Sequence, residues 1–291
     1  MVSADNTAWS RNWPAPAKLN LTLEITGRRP DGYHELQTVF RLLDYADLLH
    51  FHRRDDGRIE RLRGAAAVAA DDDLVTKAAQ ALKPLAPMHC GVDIAVDKRL
   101  PLGGGIGGGS SNAATTLHAL NILWQLNLPD DELAAIGLQL GADVPVFVHG
   151  HNAWAKGVGE QLQALELPEA WYLLAKPACQ VSTAAVFGHP ELTRNSPVRT
   201  IRAFLEQGGR NDCTAVVEKL HPEVHQALEI MGEVAQPRLT GTGACVFAEF
   251  ASLAEAVAAQ AVIGNRLTVL VARGVQRSAL LQRVEQARSE V

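Results

Sequence analysis

Apolar and polar positions first alternate between Ala17 and Thr26. Leu19, Leu21, Leu23 and Ile25 fall on one side, and Lys18, Asn20, Thr22 and Glu24 on the other. A period of two is that of a half-buried strand. Pro14 and Pro16 stand at its entrance. Gly27 to Gly32 carries turn residues, then Leu36 to Leu42 and Leu48 to Phe51 resume strand character. The charged run from His52 to Arg63 reads as a solvated hairpin or loop. Leu74, Val75, Ala78, Ala79 and Leu82 then recur at helical spacing behind Asp72 or Asp73 as a cap. Val92, Ile94 and Val96 form the next alternating run. Ala113, Leu117, Leu120 and Trp124 predict a helix to about Leu126, with Ser110 or Ser111 as its cap. Another helix opens at Asp131 and stops at Gly141. Pro145 argues against a helix over Ala142 to Val148.

In the second half, Asn152 to Leu165 suggests a strand that turns at Gly157-Val158-Gly159, and Trp171 to Lys176 another strand. Thr183 to Phe187 reads as a short helix. Thr200 to Glu206 and Thr214 to Val234 are helical, the latter broken near Pro222. Arg238 to Ala244 is a glycine turn running into apolar Cys245 to Phe250. Ser252 caps a helix through Ala261, Leu267 to Ala272 is a last strand, and Ser278 to Arg288 is amphipathic. Strands and helices mix here without strict β-α-β alternation, which predicts an α+β layer: an antiparallel sheet with helices on one face.

The segment that changes the picture is Pro101-Leu102-Gly103-Gly104-Gly105-Ile106-Gly107-Gly108-Gly109-Ser110-Ser111-Asn112, set between a strand and a helix start. Glycine enters φ > 0 freely and leaves no side chain between backbone and ligand. Backbone N–H groups and the helix dipole then converge on one spot that suits a phosphate. A Cβ at Gly105 or Gly108 is expected to obstruct that phosphate. A flexible linker is the bland alternative. No Lys stands beside Ser110, so this is not the P-loop. Gly103, Gly105 and Gly108 match the dinucleotide fingerprint formally. The long helix and the Pro129-Asp130-Asp131 turn leave no acidic strand end where that fingerprint needs one, so it fits poorly.

Composition narrows the class. A chain of 291 residues predicts about two domains, with the change between Leu165 and Trp171, hence 1–167 and 168–291. Hydrophobic residues at 47% and charged residues at 20% fit an ordinary globular protein. A net charge of -5 argues against a nucleic-acid partner held by general electrostatics. No apolar run suits a membrane span. Met1 to Asn12 is polar, unlike a signal peptide. Cys90, Cys179, Cys213 and Cys245 form no C-x-x-C pair, and reduced thiols in a cytoplasm are the simplest reading.

Two polar residues stand out. A strand lysine such as Lys18 is ordinarily solvated, but Asn20 shares its face, so the pair can address one site. Asp143, after a glycine-ended helix, is ordinarily a turn residue.

The letters P-x-G-G-G-I-G-G-G-S-S-N-A-A from Pro101 to Ala114 resemble the second motif of the GHMP kinases. Pro16-Ala17-Lys18-Leu19-Asn20-Leu21, continuing to Gly32-Tyr33-His34, resembles the first. Leu239-Thr240-Gly241-Thr242-Gly243-Ala244 resembles the third. With Gly141-Ala142-Asp143-Val144-Pro145, the likeness runs from about residue 14 to 275. It is greatest to the branch that phosphorylates 4-diphosphocytidyl-2-C-methyl-D-erythritol.

The resemblance implies a ribosomal-protein-S5-like N-terminal domain, a ferredoxin-like C-terminal domain and an active site between them. It implies ATP as co-substrate with Mg²⁺, whose ligands stay open, and small-molecule partners only. Lys18 and Asp143 become the catalytic pair. A carboxylate accepts or orients the hydroxyl proton, and an ammonium balances charge. Pro101 to Asn112, Lys98 and the Thr240, Gly241, Thr242, Gly243 turn become the ATP side. Asn20, Tyr33, His34, Thr183 and Phe187 become the substrate side, with Tyr33 and Phe187 as aromatic walls for cytosine.

Overall fold

A computed structural model describes residues 9–290. The chain begins with two long antiparallel strands, β1 (Ser10–Arg28) and β2 (His34–Arg54), joined by the Pro30 to Gly32 turn. The separate short strands expected at 36–42 and 48–51 are thus one element. On its second edge, β2 pairs in succession with three strands: β5 (Ala153–Lys156) at Thr38 to Phe40, β10 (Val269–Val275) at Leu42 and Leu43, and β4 (Gly91–Asp97) from Leu48. Three partners in line keep one strand extended where hydrophobic pattern alone would break it.

β1 has β2 as its only strand partner in the ten-stranded sheet. Its free edge explains why Pro14 and Pro16 sit inside it, since a missing N–H costs nothing where no neighbour needs it. Four register irregularities along β1 bend it, as bulges do. β1 is not half-exposed. Lys18, Asn20, Thr22 and Glu24 are as buried as the leucines opposite. The solvated reading of Lys18 is therefore wrong, because the polar face of the strand is covered by other parts of the chain.

The charged run after His52 is also corrected. It continues β2 and forms β3 (Ile59–Arg63), parallel to β4 and joined to it through α1 (Leu74–Leu82). Two of its arginines are anchored, Arg54 to Asp93 at 2.7 Å and Arg61 to Asp73 at 2.6 Å, whereas Arg58 and Arg63 are exposed as a solvated face would have them. Asp73 also caps α1, accepting from Val75 N. α2 (Gly108–Leu123) and α3 (Asp130–Leu140) pack with α1 over this sheet around Phe51, Leu117, Leu120 and Phe147.

α4 (Val144–His149) forms despite Pro145. Proline costs about 3 kcal/mol inside a helix, but in the first turn its missing N–H has no helical partner to lose. The expected serine cap of α2 is corrected as well. Gly107, at φ 75°, precedes the helix, and Ser110 and Ser111 lie within its first turn.

β5 and β6 (Gln161–Ala164) form the predicted hairpin. Next come β7 (Trp171–Ala175), α5 (Thr183–Gly188), α6 (Ile201–Gln207), α7 (Thr214–Leu220) and α8 (Pro222–Gly232). β8 (Pro237–Leu239), β9 (Val246–Phe250), α9 (Leu253–Ile263) and β10 follow. These strands lie in the order β10-β7-β9-β8, antiparallel throughout, the ferredoxin-like arrangement of an α+β layer. Its core holds Leu173, Val246, Val217 and Met231, and also Leu23 and Ile25 of β1. α10 (Ala279–Glu290) returns to the first core through Leu280, Val284 and Ala287. The four cysteines are free thiols. Among the described residues no helix is long and apolar enough to cross a membrane.

Candidate active site

The free edge of β1 is where the remote segments meet. Lys18 N donates to the Ile106 carbonyl at 3.0 Å, which brings the glycine loop against the strand. Two residues on, Asn20 N donates to Thr240 Oγ1 at 2.9 Å. Farther along, Leu23 N donates to the Arg210 carbonyl and its own carbonyl accepts from Asp212 N. The glycine loop and the Thr240 turn are also tied directly: Ala244 N donates to the Gly103 carbonyl at 3.2 Å and Cys245 N to the Gly104 carbonyl at 3.1 Å. Three stretches far apart in sequence thus share one backbone network.

A cleft of about 720 Å³ opens over this junction. Lys18 and Asn20 lie on its floor, Pro101 to Ser110 along one side, and Asp143, Lys98, Gly241 and Thr242 around them. Tyr33, His34, Thr183 and Phe187 line the same cleft. Ser111 and Asn112 do not: they are buried within α2. Thr240 and Gly243 lie behind the wall, and the Thr240 hydroxyl is occupied by Asn20 N.

Lys18 is 2% exposed, and its ammonium faces three oxygens. Asp143 Oδ2 lies at 3.1 Å, Asn20 Oδ1 at 2.5 Å and the Gly105 carbonyl at 3.1 Å. Two hydrogen bonds and one ion pair thus hold the side chain in one place. Phe40 covers it, with the ring centre 5.4 Å from Nζ. Asn20 is fixed in turn by donating Nδ2–H to Thr38 Oγ1 at 2.8 Å, and Thr38 donates to the Thr22 carbonyl. The Asp143 side chain is one-third exposed towards the cleft. It sits between α3 and α4, where Gly141 ends one helix and Pro145 starts the next.

The first turn of α2 completes this end. The backbone N–H groups of Gly108, Gly109 and Ser110 have no helical acceptor, and the helix N-terminus carries partial positive charge. The Lys98 ammonium is beside this turn but committed to Asp47, which is fully buried. Asp47 Oδ1 also accepts from Arg99 N at 2.7 Å and Leu100 N at 2.8 Å. Asp47 went unnoticed in sequence because nothing local distinguishes it from a loop aspartate. It holds the start of the glycine loop. Asp47→Asn sets an amide N–H against the Lys98 ammonium, and is expected to lower stability by about 1–3 kcal/mol. An unchanged urea midpoint would show that the carboxylate charge contributes nothing there.

At the other end, Tyr33 is 66% exposed on the turn before β2. The His34 ring stacks on Phe187, centroids 5.1 Å apart at 29°. Burial, then Arg194 and Arg28, hold the His34 pKa below its ordinary value, so the ring is neutral near pH 7. Thr183 Oγ1 lies 2.9 Å from Thr242 Oγ1, which links α5 to the Thr240 turn and joins the two ends of the cleft.

Asp143 is the only carboxylate lining the cleft among the described residues. The one cluster of metal-capable side chains found among those residues, Cys179, His221 and Glu223, does not line it.

Comparison with known proteins shows the family. Residues 73–151 match the family described as GHMP kinases N terminal domain, and residues 191–267 match GHMP kinases C terminal. The 4-diphosphocytidyl-2-C-methyl-D-erythritol kinase of Pseudomonas aeruginosa (strain ATCC 15692) is 52% identical over 272 residues, covering 94% of this chain and 96% of that one. The protein of the same name from Shewanella sp. (strain W3-18-1) is 50% identical over 280 residues, covering 96% and 99%. A crystal structure of 4-(cytidine 5'-diphospho)-2C-methyl-D-erythritol kinase superposes with a TM-score of 0.79 at 31% identity, over 90% of this chain and 98% of that one. The mevalonate kinase of L. major, at 16% identity and a TM-score of 0.63 over 94% and 97%, shares the fold. The chain belongs to the 4-diphosphocytidyl-2-C-methyl-D-erythritol kinase family of the GHMP kinases.

Proposed function

We propose that the protein transfers the γ-phosphoryl group of ATP to the 2-hydroxyl of 4-diphosphocytidyl-2-C-methyl-D-erythritol. The observation that carries this reading is the Lys18–Asp143 pair at 3.1 Å, on the floor of a cleft that has an open helix N-terminus on one side and aromatic residues on the other. ATP phosphates take the Gly103 to Ser110 side, where backbone donors await an anion. The second substrate takes the Tyr33, His34, Phe187 and Thr183 side. Residues 1–167 then form the N-terminal part, which supplies the glycine loop and also Tyr33 and His34, and 168–291 the C-terminal part, whose α10 packs back on the first core. Arg41, buried between them, donates to the Leu167 and Pro168 carbonyls.

Asp143 Oδ2 is committed to Lys18, which leaves Oδ1 for the substrate hydroxyl. As the hydroxyl oxygen bonds to the γ-phosphorus, its proton passes to Asp143. The bond from phosphorus to the β-γ bridging oxygen breaks, and ADP leaves. Lys18 is fixed by three acceptors, so its role is to orient the carboxylate and balance charge at the transferring group. Mg²⁺ is expected with ATP because it neutralises phosphate oxygens. Among the described residues Asp143 is the one carboxylate lining the cleft, so it is the acidic side chain that would help to hold the ion there.

The experiment is an ADP-release assay with ATP, Mg²⁺ and a panel of alcohols that includes the cytidine diphosphate compound. ADP release only with that compound supports the reading, and release with a different alcohol alone overturns the substrate assignment. Tyr33 gives a sharper check, because a residue so exposed contributes little to the core. Tyr33→Ala is expected to weaken the cytidine substrate by about 1–3 kcal/mol, on the scale of base–aromatic stacking, with the ATP KM unmoved. Equal losses for both ligands would mean that Tyr33 does not face the base.

A further inference from the structure

Arg194 stands apart from the catalytic pair, and nothing in the sequence draws attention to it. Its guanidinium makes four hydrogen bonds at once. Nε donates to His34 Nε2 at 3.0 Å and Nη1 to the Leu192 carbonyl at 3.1 Å. Nη2 donates to the carbonyls of Phe187 at 2.8 Å and His189 at 2.9 Å. The carbonyl partners belong to the C-terminal end of α5 and the segment after it, where a helix leaves acceptors unpaired and favours a cation. One group therefore fixes both His34 and the backbone that carries Phe187, the two rings that stack in the cleft wall.

A guanidinium keeps its protons at any working pH and offers no acceptor. Where its Nε–H points at His34 Nε2, that nitrogen must present its lone pair, and the ring proton resides on Nδ1. A doubly protonated ring would set N–H against N–H. The charged groups acting on the ring are Arg194 and Arg28, both positive, and they oppose the imidazolium in the same sense. Nδ1 makes no hydrogen bond among the described residues, and the ring lines the cleft.

We propose that Arg194 is a positioning residue for base recognition: it holds His34 as the Nδ1–H tautomer against Phe187, so that the cleft offers the base one fixed hydrogen-bond donor. This rests on the reading of Tyr33, His34 and Phe187 as the base-binding wall. A fixed donor demands an acceptor opposite. Cytosine presents a lone pair at its ring position 3, where uracil presents an N–H. The same tautomer that welcomes cytosine at that position repels uracil.

The test has a spectroscopic arm and a kinetic arm. Nitrogen-15 NMR of histidine-labelled full-length protein reports the His34 tautomer directly. The wild type is expected to show Nδ1–H. Arg194→Met is expected to populate the Nε2–H form and to titrate at higher pH. In kinetics, Arg194→Met should raise the KM for the cytidine compound by up to about tenfold, the scale of one lost hydrogen bond between neutral groups. The ATP KM should stay unchanged, and the preference over the uridine analogue should shrink. Arg194→Lys keeps a donor for His34 but loses the fork, so it should recover part of the loss. An Nε2–H tautomer in the wild type, an unaltered His34 signal in Arg194→Met, or equal losses for both substrates would overturn the proposal. If the cytidine compound is no substrate at all, the functional reading fails, and the wild-type spectrum still decides the tautomer. If Arg194→Met does not fold, that spectrum and Arg194→Lys decide it.

Discussion

Asp143→Asn is expected to cut turnover by about 10²–10⁴, the usual worth of a positioned general base. The substitution is nearly isosteric, so the turn between α3 and α4 should survive. The amide cannot take the hydroxyl proton, and its nitrogen cannot pair with the Lys18 ammonium 3.1 Å away. Lys18→Met should do comparable damage for a different reason. It removes the group that aims the carboxylate, it leaves the Asn20 Oδ1 acceptor unpaired in a buried place, and it leaves the Gly105 carbonyl with only the long bond from Thr240 Oγ1 at 3.4 Å. Its melting temperature should therefore fall, whereas that of Asp143→Asn should hardly move. Normal turnover in folded Asp143→Asn would remove Asp143 from the chemistry.

The glycine loop gives the second large effect and divides it in two. A Cβ at Gly105 would lie 2.3 Å from the Thr240 carbonyl oxygen and 2.9 Å from that of Gly243, at a φ of +71°. It would obstruct the Thr240 turn before it reached any phosphate, which corrects the expectation from sequence for this glycine. Overpacking and a strained φ together predict a loss of about 2–4 kcal/mol for Gly105→Ala. A Cβ at Gly108 meets nothing nearer than 3.5 Å. Gly108→Val should fold normally and place its methyl groups beside the open N–H groups of α2. The expected result is a raised ATP KM and lowered turnover with an intact melting transition. Unchanged ATP kinetics in folded Gly108→Val would take this loop out of the nucleotide site.

What could be read from the sequence follows from how local each signal is. Alternation at Leu19 to Ile25 gave the strand, and the glycine run beside a helical period gave the phosphate-binding turn, because both are written within a few residues. The burial of Lys18 was not legible. It depends on Ile106, Thr240 and Arg210 reaching the free edge of β1 from up to 220 residues away. The unbroken length of β2 likewise depends on three partners from later in the chain. Pro145 misled because its effect turns on helix position rather than on presence. Asp47 and Arg194 carry no motif, since a buried carboxylate and a fork on loose carbonyls are defined by their partners alone. Lys18 and Asp143 could be named as a pair only through the resemblance, because 125 positions separate them and no local geometry joins them.

The central claim is that Lys18 and Asp143 act as one unit on the hydroxyl of the cytidine-linked substrate. The most direct measurement is single-turnover transfer from γ-labelled ATP to that compound by the wild type, Lys18→Met, Asp143→Asn and the double variant. If the pair is a unit, the double variant should be little slower than either single one. Losses that multiply fully would show two independent residues and contradict the account.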